Sequence, residues 1–214
     1  MTGVRTRTAA AVTIAMTMLV LAGCGTASAD PAAAPSKGTA SSSAPTQNEP
    51  AAPKTDPADP ATWTVTAQGI GPIELGGSFA DAQATLPSWT GDEQCTWVDS
   101  WTSTDHSQTG LFARDHDDSD GDVNMVTFDS LEDTVAPADG PRTEKGIGLG
   151  STRDEVMAAY PDAASQKPVI ADGELLRVGA QGSPAIYFAI REGASKVSAV
   201  TVTAMDEPQY EVCG

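Results

Sequence analysis

Apolar and polar residues alternate in several short segments of the last two thirds of the chain. Residues 197–202 read Val-Ser-Ala-Val-Thr-Val, and residues 123–128 read Val-Asn-Met-Val-Thr-Phe. A period of two is typical of strands with one buried face. The same reasoning, with turn residues as boundaries, predicts six strands, at about 95–102, 110–115, 122–129, 174–179, 184–191 and 196–204.

Two short helices are predicted ahead of these strands, one in each half of the sequence. Ser78 and Thr152 are each followed three positions later by an acidic residue. A hydroxyl cap with an acid at that spacing satisfies free backbone donors at a helix start. Each helix is expected to end where a proline follows, at Pro87 and at Pro161.

The helix segments match each other at a constant offset of 74 residues. The stretch LGSTRDEVMAAYP, 149–161, aligns with LGGSFADAQATLP, 75–87, and the last strand of each half aligns at the same offset. The sequence therefore predicts an α+β fold made of two tandem repeats, 62–140 and 141–214, each a helix followed by an antiparallel sheet. Together they have the size of one ordinary domain.

Three alternating glycines open the second helix segment and resemble the start of a phosphate-binding loop. In a G-x-G-x-x-G fingerprint that begins at Gly146 and Gly148, the third glycine would fall at Ser151. No strand-helix-strand unit with a downstream acid surrounds it. We interpret the stretch as a strand-to-helix turn, in which only the glycine before the helix cap, Gly150, is shared with the first copy.

The N-terminus has the pattern of an export signal. Two arginines precede a mostly apolar run at 9–22, which is too short for a stable membrane span. The run ends in Leu-Ala-Gly-Cys, which resembles the bacterial lipobox and implies cleavage after residues 1–23 and acylation of Cys24. The protein is then a lipoprotein held on the extracytoplasmic side of the cell membrane. The alternative is an ordinary signal peptide cleaved after Ala29.

Residues 24–61 are predicted to be a disordered linker. They consist mainly of Ala, Pro, Ser, Thr and Asp and hold no large apolar side chain. Such a segment buries too little apolar surface to offset its ordering entropy. Its prolines favour a partly extended tether with a reach of up to ~100 Å, and a fully flexible linker fits the composition equally well.

The formal net charge is −17, and removal of the signal leaves 10 cations against 29 acids. This balance excludes a nucleic-acid partner, because binding phosphate needs a basic face. The same balance argues against docking on anionic lipids, so the acyl anchor is the expected contact with the membrane. The acidity itself is also what solubility would favour.

Three cysteines are present. If Cys24 carries lipid, Cys95 and Cys213 remain as a pair. Outside the cytoplasm such a pair favours a disulfide, and neither cysteine lies in a C-x-x-C motif that would indicate redox chemistry.

The repeat resembles a known family. Its pattern is Leu, Gly, a small residue or Met, Ser or Thr, two variable residues, an acid or amide, and an apolar residue. Over roughly 62–204 it is similar to the repeat of the β-lactamase inhibitor protein (BLIP) family and to BamE/SmpA-type lipoproteins. The segment 91–97 adds to the likeness with the inhibitors. The resemblance implies two modules whose sheets form one curved surface that grips a protein. The family places a cysteine pair within a repeat, whereas the second copy here lacks one.

The leading functional hypothesis is a protein-binding module whose partner is an envelope or extracellular protein. The resemblance makes a β-lactamase a target to test. Trp97, Trp101 and Phe112 are candidate binding residues because tryptophan is common at binding hot spots. The alternative is that these rings are needed for the core, since the chain has only four Trp and four Phe.

Two other classes of function remain open. The acidic hairpin at 115–122 invites a Ca²⁺ interpretation, but the twelfth EF-hand position is Thr127, where a carboxylate is required. Loose calcium binding, or a small-ligand site, is therefore the second hypothesis. A hydrolase is the weaker third, because only His106 and His116 are available and no G-x-S-x-G motif occurs. No catalytic residue, resident metal or cofactor is predicted.

Overall fold

The computed structural model describes residues 55–91, 93–130, 140–170 and 172–213. The signal segment, Cys24 and most of the predicted linker lie outside these ranges.

Two α-helices and twelve strands form within the described ranges. The helices are α1, Phe79–Thr85, and α2, Arg153–Ala159. The strands are β1 Thr64–Thr66, β2 Gly69–Ile70, β3 Ile73–Glu74, β4 Thr90–Gly91, β5 Val98–Thr102, β6 Gln108–Arg114, β7 Val123–Ser130, β8 Arg142–Thr143, β9 Ala164–Gln166, β10 Gly173–Val178, β11 Ala185–Arg191 and β12 Ala199–Thr203. In the part of the chain described here, no helix has the length and apolar character needed to cross a membrane.

Both helices are short because the sequence limits them at each end. The Ser78 hydroxyl accepts the backbone N–H of Asp81, and Thr152 forms a reciprocal capping box with Glu155. The residues that end the helices, Leu86 and Tyr160, each precede a proline and have left the helical region of backbone space. Each helix therefore has seven residues.

The large sheet contains eight antiparallel strands in the order β4-β5-β6-β7-β12-β11-β10-β9. Its central pair is β7 with β12, in which Thr127 lies opposite Thr201, 74 positions away. The two hydroxyl oxygens are 2.7 Å apart. Strands that the sequence offset makes equivalent therefore meet at the centre of one continuous sheet.

The prediction of an α+β fold built from two helix-plus-sheet repeats was wrong. Among the described residues the structure is mostly β, because the helices are only seven residues long and twelve strands form two sheets. The strands of both halves of the chain join in one sheet through the β7–β12 ladder.

One face of the large sheet, here called the helix face, carries the main hydrophobic core. The helices and a small sheet in the order β3-β2-β1-β8 supply residues to this core, among them Val65, Phe79 and Val156. An aromatic cluster lies at its centre, made of Trp63, Trp89, Trp101, Phe112 and Phe128.

The opposite face of the large sheet is covered by the last residues of the chain. After β12 the chain runs through residues 204–213, here called the C-terminal strap, to a disulfide with Cys95 at the far side of the sheet. We call this the strap face. It carries smaller apolar groups, around Leu175 and Tyr187 near one end and Val98 and Ala113 near the other.

Candidate functional site

The C-terminal strap is fixed at its end by a disulfide between Cys95 and Cys213. Beside it, the indole N–H of Trp97 donates to the backbone carbonyl of Val212 over 2.6 Å. Cys95 is buried, whereas Cys213 is exposed. The structure thus brings the two predicted cysteines together and ties the end of the chain to the start of β5.

The strap is also fixed near its beginning, where it leaves β12. The Tyr187 hydroxyl accepts the Nε–H of buried Arg177 and lies 2.8 Å from the backbone carbonyl of Asp206, to which it donates. Further along, a carboxylate oxygen of Glu207 accepts the backbone N–H of Val169 at 2.8 Å. The strap is therefore bound to the sheet at both ends.

A cavity of about 350 Å³ lies between the strap and the sheet. Seven apolar residues and nine polar or charged ones line it, with the two tyrosines counted as polar. The sheet supplies Leu111, Met125, Thr127, Asp129, Leu175, Tyr187, Ala189, Arg191, Ser198, Ala199 and Thr201, and the strap supplies Glu207, Pro208, Gln209, Tyr210 and Val212. A cavity of this volume lies within the range of sites for small molecules.

Asp129 is the carboxylate on the sheet side of this cavity. It follows Thr127 on the same face of β7, and protein surrounds the group, although part of its surface stays open to the cavity. Desolvation raises the pKa of Asp129 to about 6, and the positive charge of Arg191 only partly offsets that rise. No hydrogen bond or ion pair at 4 Å or less reaches its carboxylate from the residues described.

This desolvated carboxylate predicts an unusual pH dependence of stability. Because the folded-state pKa lies above the unfolded one, the folded chain binds an extra proton between about pH 6 and 4, and Asp129 destabilises the fold above that range. A shift of about two units corresponds to at most ~3 kcal/mol. We expect Asp129→Asn to raise the free energy of unfolding at pH 7.5 by up to that amount, measured by urea denaturation.

The gain should shrink as the pH falls from 6 to 4, where the wild-type side chain becomes neutral in the folded state. Asp162→Asn, at an exposed turn after α2, makes the same charge change and should have little effect. If Asp129→Asn is destabilising at pH 7.5, Asp129 has a partner that stabilises its charge.

The three candidate aromatic residues do not form one surface. Phe112 is fully buried on the helix face, and Trp101 packs half-buried against the same core. Trp97 lies on the strap face, half-buried beside the disulfide. Of the three, Trp97 alone contacts the strap, through its bond to Val212.

The acidic hairpin forms the exposed loop between β6 and β7. Nε2 of His116 lies 2.9 Å from a carboxylate oxygen of Asp117, and the His116 ring packs edge-on against Trp97 at 5.7 Å between centroids. One ligand atom from each of Asp115, His116 and Asp117 falls within 4.8 Å of the others. All three residues are exposed, and exposed acidic groups are also common in turns that bind no metal ion.

The glycine-rich stretch before α2 borders an open depression of about 700 Å³. Arg142 and Lys145 line it, and their side chains donate to the backbone carbonyls of Gly146 and Ala159 respectively. Gly150 has a φ of 81°, a left-handed conformation that favours glycine before a helix cap. These contacts are those of a turn that side-chain hydrogen bonds hold in place.

The strap cavity was not predicted from the sequence. Asp129 was assigned to a strand, but its side chain was not distinguished from other polar residues on the presumed solvent face. One signal was available: the predicted bridge from Cys95 to Cys213 ties the residues after the last strand back to the first half of the chain, and in the structure these residues cross the face of the sheet. That path places Tyr210 and its neighbours above the β7–β12 pair.

Comparison with known proteins leaves the family of this chain open. No protein-family model matches the sequence, and no curated protein matches it. A solved structure of a DUF4309 family protein (YjgB) from Bacillus subtilis subsp. subtilis str. 168 is similar at 10% sequence identity, over 68% of this chain and 90% of that one, with a TM-score of 0.45. At that level the similarity assigns this chain to no family.

Proposed function

We propose that this chain is an acyl-anchored binding protein of the cell envelope that holds a small organic molecule beneath its C-terminal strap. The observation that carries the proposal is the cavity of about 350 Å³, closed on one side by the strap and containing the carboxylate of Asp129. The anchor rests on the lipobox-like sequence that ends at Cys24.

The lining of the cavity supports binding more than chemistry. Its polar groups come from aspartate, glutamate, arginine, tyrosine, glutamine, serine and threonine, and neither His106 nor His116 is among the lining residues. The apolar side chains supply contact area, and the polar groups that face the same space supply specificity, which is what recognition of a small molecule needs.

A cavity-filling variant tests this proposal. Ala189 lines the cavity from β11, and Ala189→Phe places a ring in the space that a ligand would occupy. We expect small organic molecules found by ligand-observed NMR to bind the wild-type chain and to lose at least tenfold in affinity to Ala189→Phe. Ala80→Phe, on the exposed side of α1, is the matched control and should bind them as the wild type does.

Equal binding to all three proteins would place the ligands elsewhere and contradict the proposal. Circular dichroism and urea denaturation confirm first that Ala189→Phe folds.

Protein recognition is a second candidate, favoured by where apolar side chains are exposed. Val169 and Ile170 are 83% and 71% exposed, and Tyr210 on the strap is 58% exposed. The bond from Val169 to Glu207 connects this loop to the strap. Exposed apolar groups near one another are typical of a contact with another protein.

A cross-linking experiment separates this candidate from the first. A photo-reactive residue at position 170 in the full chain should capture a protein in the native envelope, whereas the same residue at Asp162 should not. Capture at neither position, or equal capture at both, would remove the support for a protein contact at this loop.

A further inference from the structure

We propose that the molecule bound beneath the strap is an organic cation, such as a protonated amine with an apolar body, and that its charge pairs with Asp129. This inference rests on the proposed function, because it names the chemical class of ligand for the same cavity.

The first argument is the state of Asp129. A carboxylate surrounded by protein is costly to keep charged unless it is paired. Here no hydrogen-bond donor from the described residues contacts it. A perturbed carboxyl group inside a cavity is a common mark of a functional site. A cationic ligand supplies the close partner that the described residues do not provide.

The second argument is the balance of charge around the cavity. The ionisable side chains that face it are Asp129 on β7, Arg191 on β11, Glu207 on the strap, and the phenols of Tyr187 and Tyr210. Two carboxylates therefore oppose one guanidinium, which donates to the backbone carbonyl of Ser130. The net charge of −17 on the whole chain adds a field that attracts cations.

The third argument is the apolar surface next to the carboxylate. Leu111, Met125 and Leu175 lie on the sheet side, and Pro208 and Tyr210 lie on the strap side. A ligand that fills this space buries an apolar body, and the aromatic ring of Tyr210 adds a surface that cations favour. An amine with an aromatic or aliphatic body can therefore pair with the carboxylate and also fill the apolar space beside it.

Three matched probes test the inference: 2-phenylethylamine, the neutral 2-phenylethanol and the anionic 3-phenylpropanoate. Their affinities for the purified full chain with its disulfide intact are measured by NMR titration at pH 7.5. A charge-assisted hydrogen bond contributes ~1.5–3 kcal/mol, so we expect the amine to bind at least tenfold more tightly than the alcohol. The anion should bind more weakly than either.

Asp129→Asn should weaken amine binding at least tenfold and leave alcohol binding within about twofold. Asp162→Asn, which makes the same change in net charge at an exposed turn, should leave both unchanged. Amine affinity for the wild type should fall as the pH drops through 6, and Asp129→Asn should remove that dependence. The variant is expected to fold, since it removes a charge that destabilises the fold.

The outcomes separate the two proposals. If the probes bind in an Ala189-sensitive manner but the amine has no advantage, or if Asp129→Asn keeps the advantage, the cation inference is overturned and the cavity remains a binding site. If no probe binds at millimolar concentration, or if Ala189→Phe binds all of them as the wild type does, both proposals fail.

Discussion

Replacing Cys95 and Cys213 together with serine lowers the free energy of unfolding by about 2 to 5 kcal/mol, the range typical of a native disulfide in a small exported domain. The bridge closes a loop with a sequence separation of 118 residues, which includes all of β5–β12. A loop of that length restricts the unfolded chain strongly, by up to ~4–5 kcal/mol in the chain-entropy model.

The same change should free the end of the strap. Without the bridge, the remaining contacts of the last residues include the bond from Trp97 to Val212. The anchor at Tyr187 and Asp206 should hold the first part of the strap in place. We therefore expect amide hydrogen exchange to rise most toward the C-terminal end of residues 204–213 and least next to β12.

Urea denaturation of the full chain measures the stability, with Cys24→Ser as the control. That variant removes a cysteine outside the described residues and should leave the unfolding of the domain unchanged. An equal midpoint for the double variant and the wild type would mean that the bridge adds nothing to stability. Increased exchange next to β12 would mean that the bridge alone holds the strap.

The local elements of this fold are readable in the sequence. The six strands expected from alternation agree with β5–β7 and β10–β12 to within three residues at their ends. The helices begin directly after Ser78 and Thr152 and end before the expected prolines. These features depend on neighbouring residues, through side-chain period, capping and the exclusion of helix before proline, and such information is local.

The pairing of these strands could not be predicted from the sequence. Whether β7 pairs with β12 depends on contacts between strands more than 70 residues apart, such as Thr127 with Thr201. The small sheet was missed because β2, β3 and β8 have two residues each, too few to show a period. The resemblance to the inhibitor repeat implies sheets that form one curved surface, but it does not say which strands join them, and in the structure these are β7 and β12.

The candidate site was missed for a related reason. A polar residue in a strand predicts a solvent-facing side chain unless something covers that face, and the strap that covers Asp129 has no periodic pattern. Among the aromatic candidates, Phe112 and Trp101 pack against the main core, which is the role that the alternative interpretation gave them. Phe112 lies in a strand with few neighbouring charges, and its sequence does not reveal that it faces the main core.

The largest effect expected from one core residue is at Phe128, where Phe128→Ala should lower the free energy of unfolding by about 3 to 5 kcal/mol. Phe128 is fully buried on the helix face of β7. Its ring lies 5.8 Å from that of Trp63, 6.0 Å from that of Trp89 and 6.1 Å from that of Trp101, measured between centroids. Its removal therefore leaves a cavity that three large rings surround.

The position of Trp89 shows why the cluster cannot easily close this cavity. Its ring packs over Gly110, where an added Cβ would lie 2.7 Å from the Trp89 ring and 3.0 Å from the Phe128 ring. Because the strand backbone already forms one wall, the tryptophans have little room to move inward. A cavity that cannot collapse lowers the free energy of unfolding by an amount near the top of the range.

Urea denaturation and the near-ultraviolet circular dichroism of the tryptophans test this expectation. Phe128→Leu keeps most of the volume and should lose clearly less than Phe128→Ala, and Tyr210→Ala, at a residue 58% exposed, should change stability by only about 0.5 kcal/mol. A loss below about 1.5 kcal/mol for Phe128→Ala, with an unchanged dichroism spectrum, would mean that the cluster relaxes into the space. The three tryptophans would then pack loosely around Phe128, below the density usual for a protein interior.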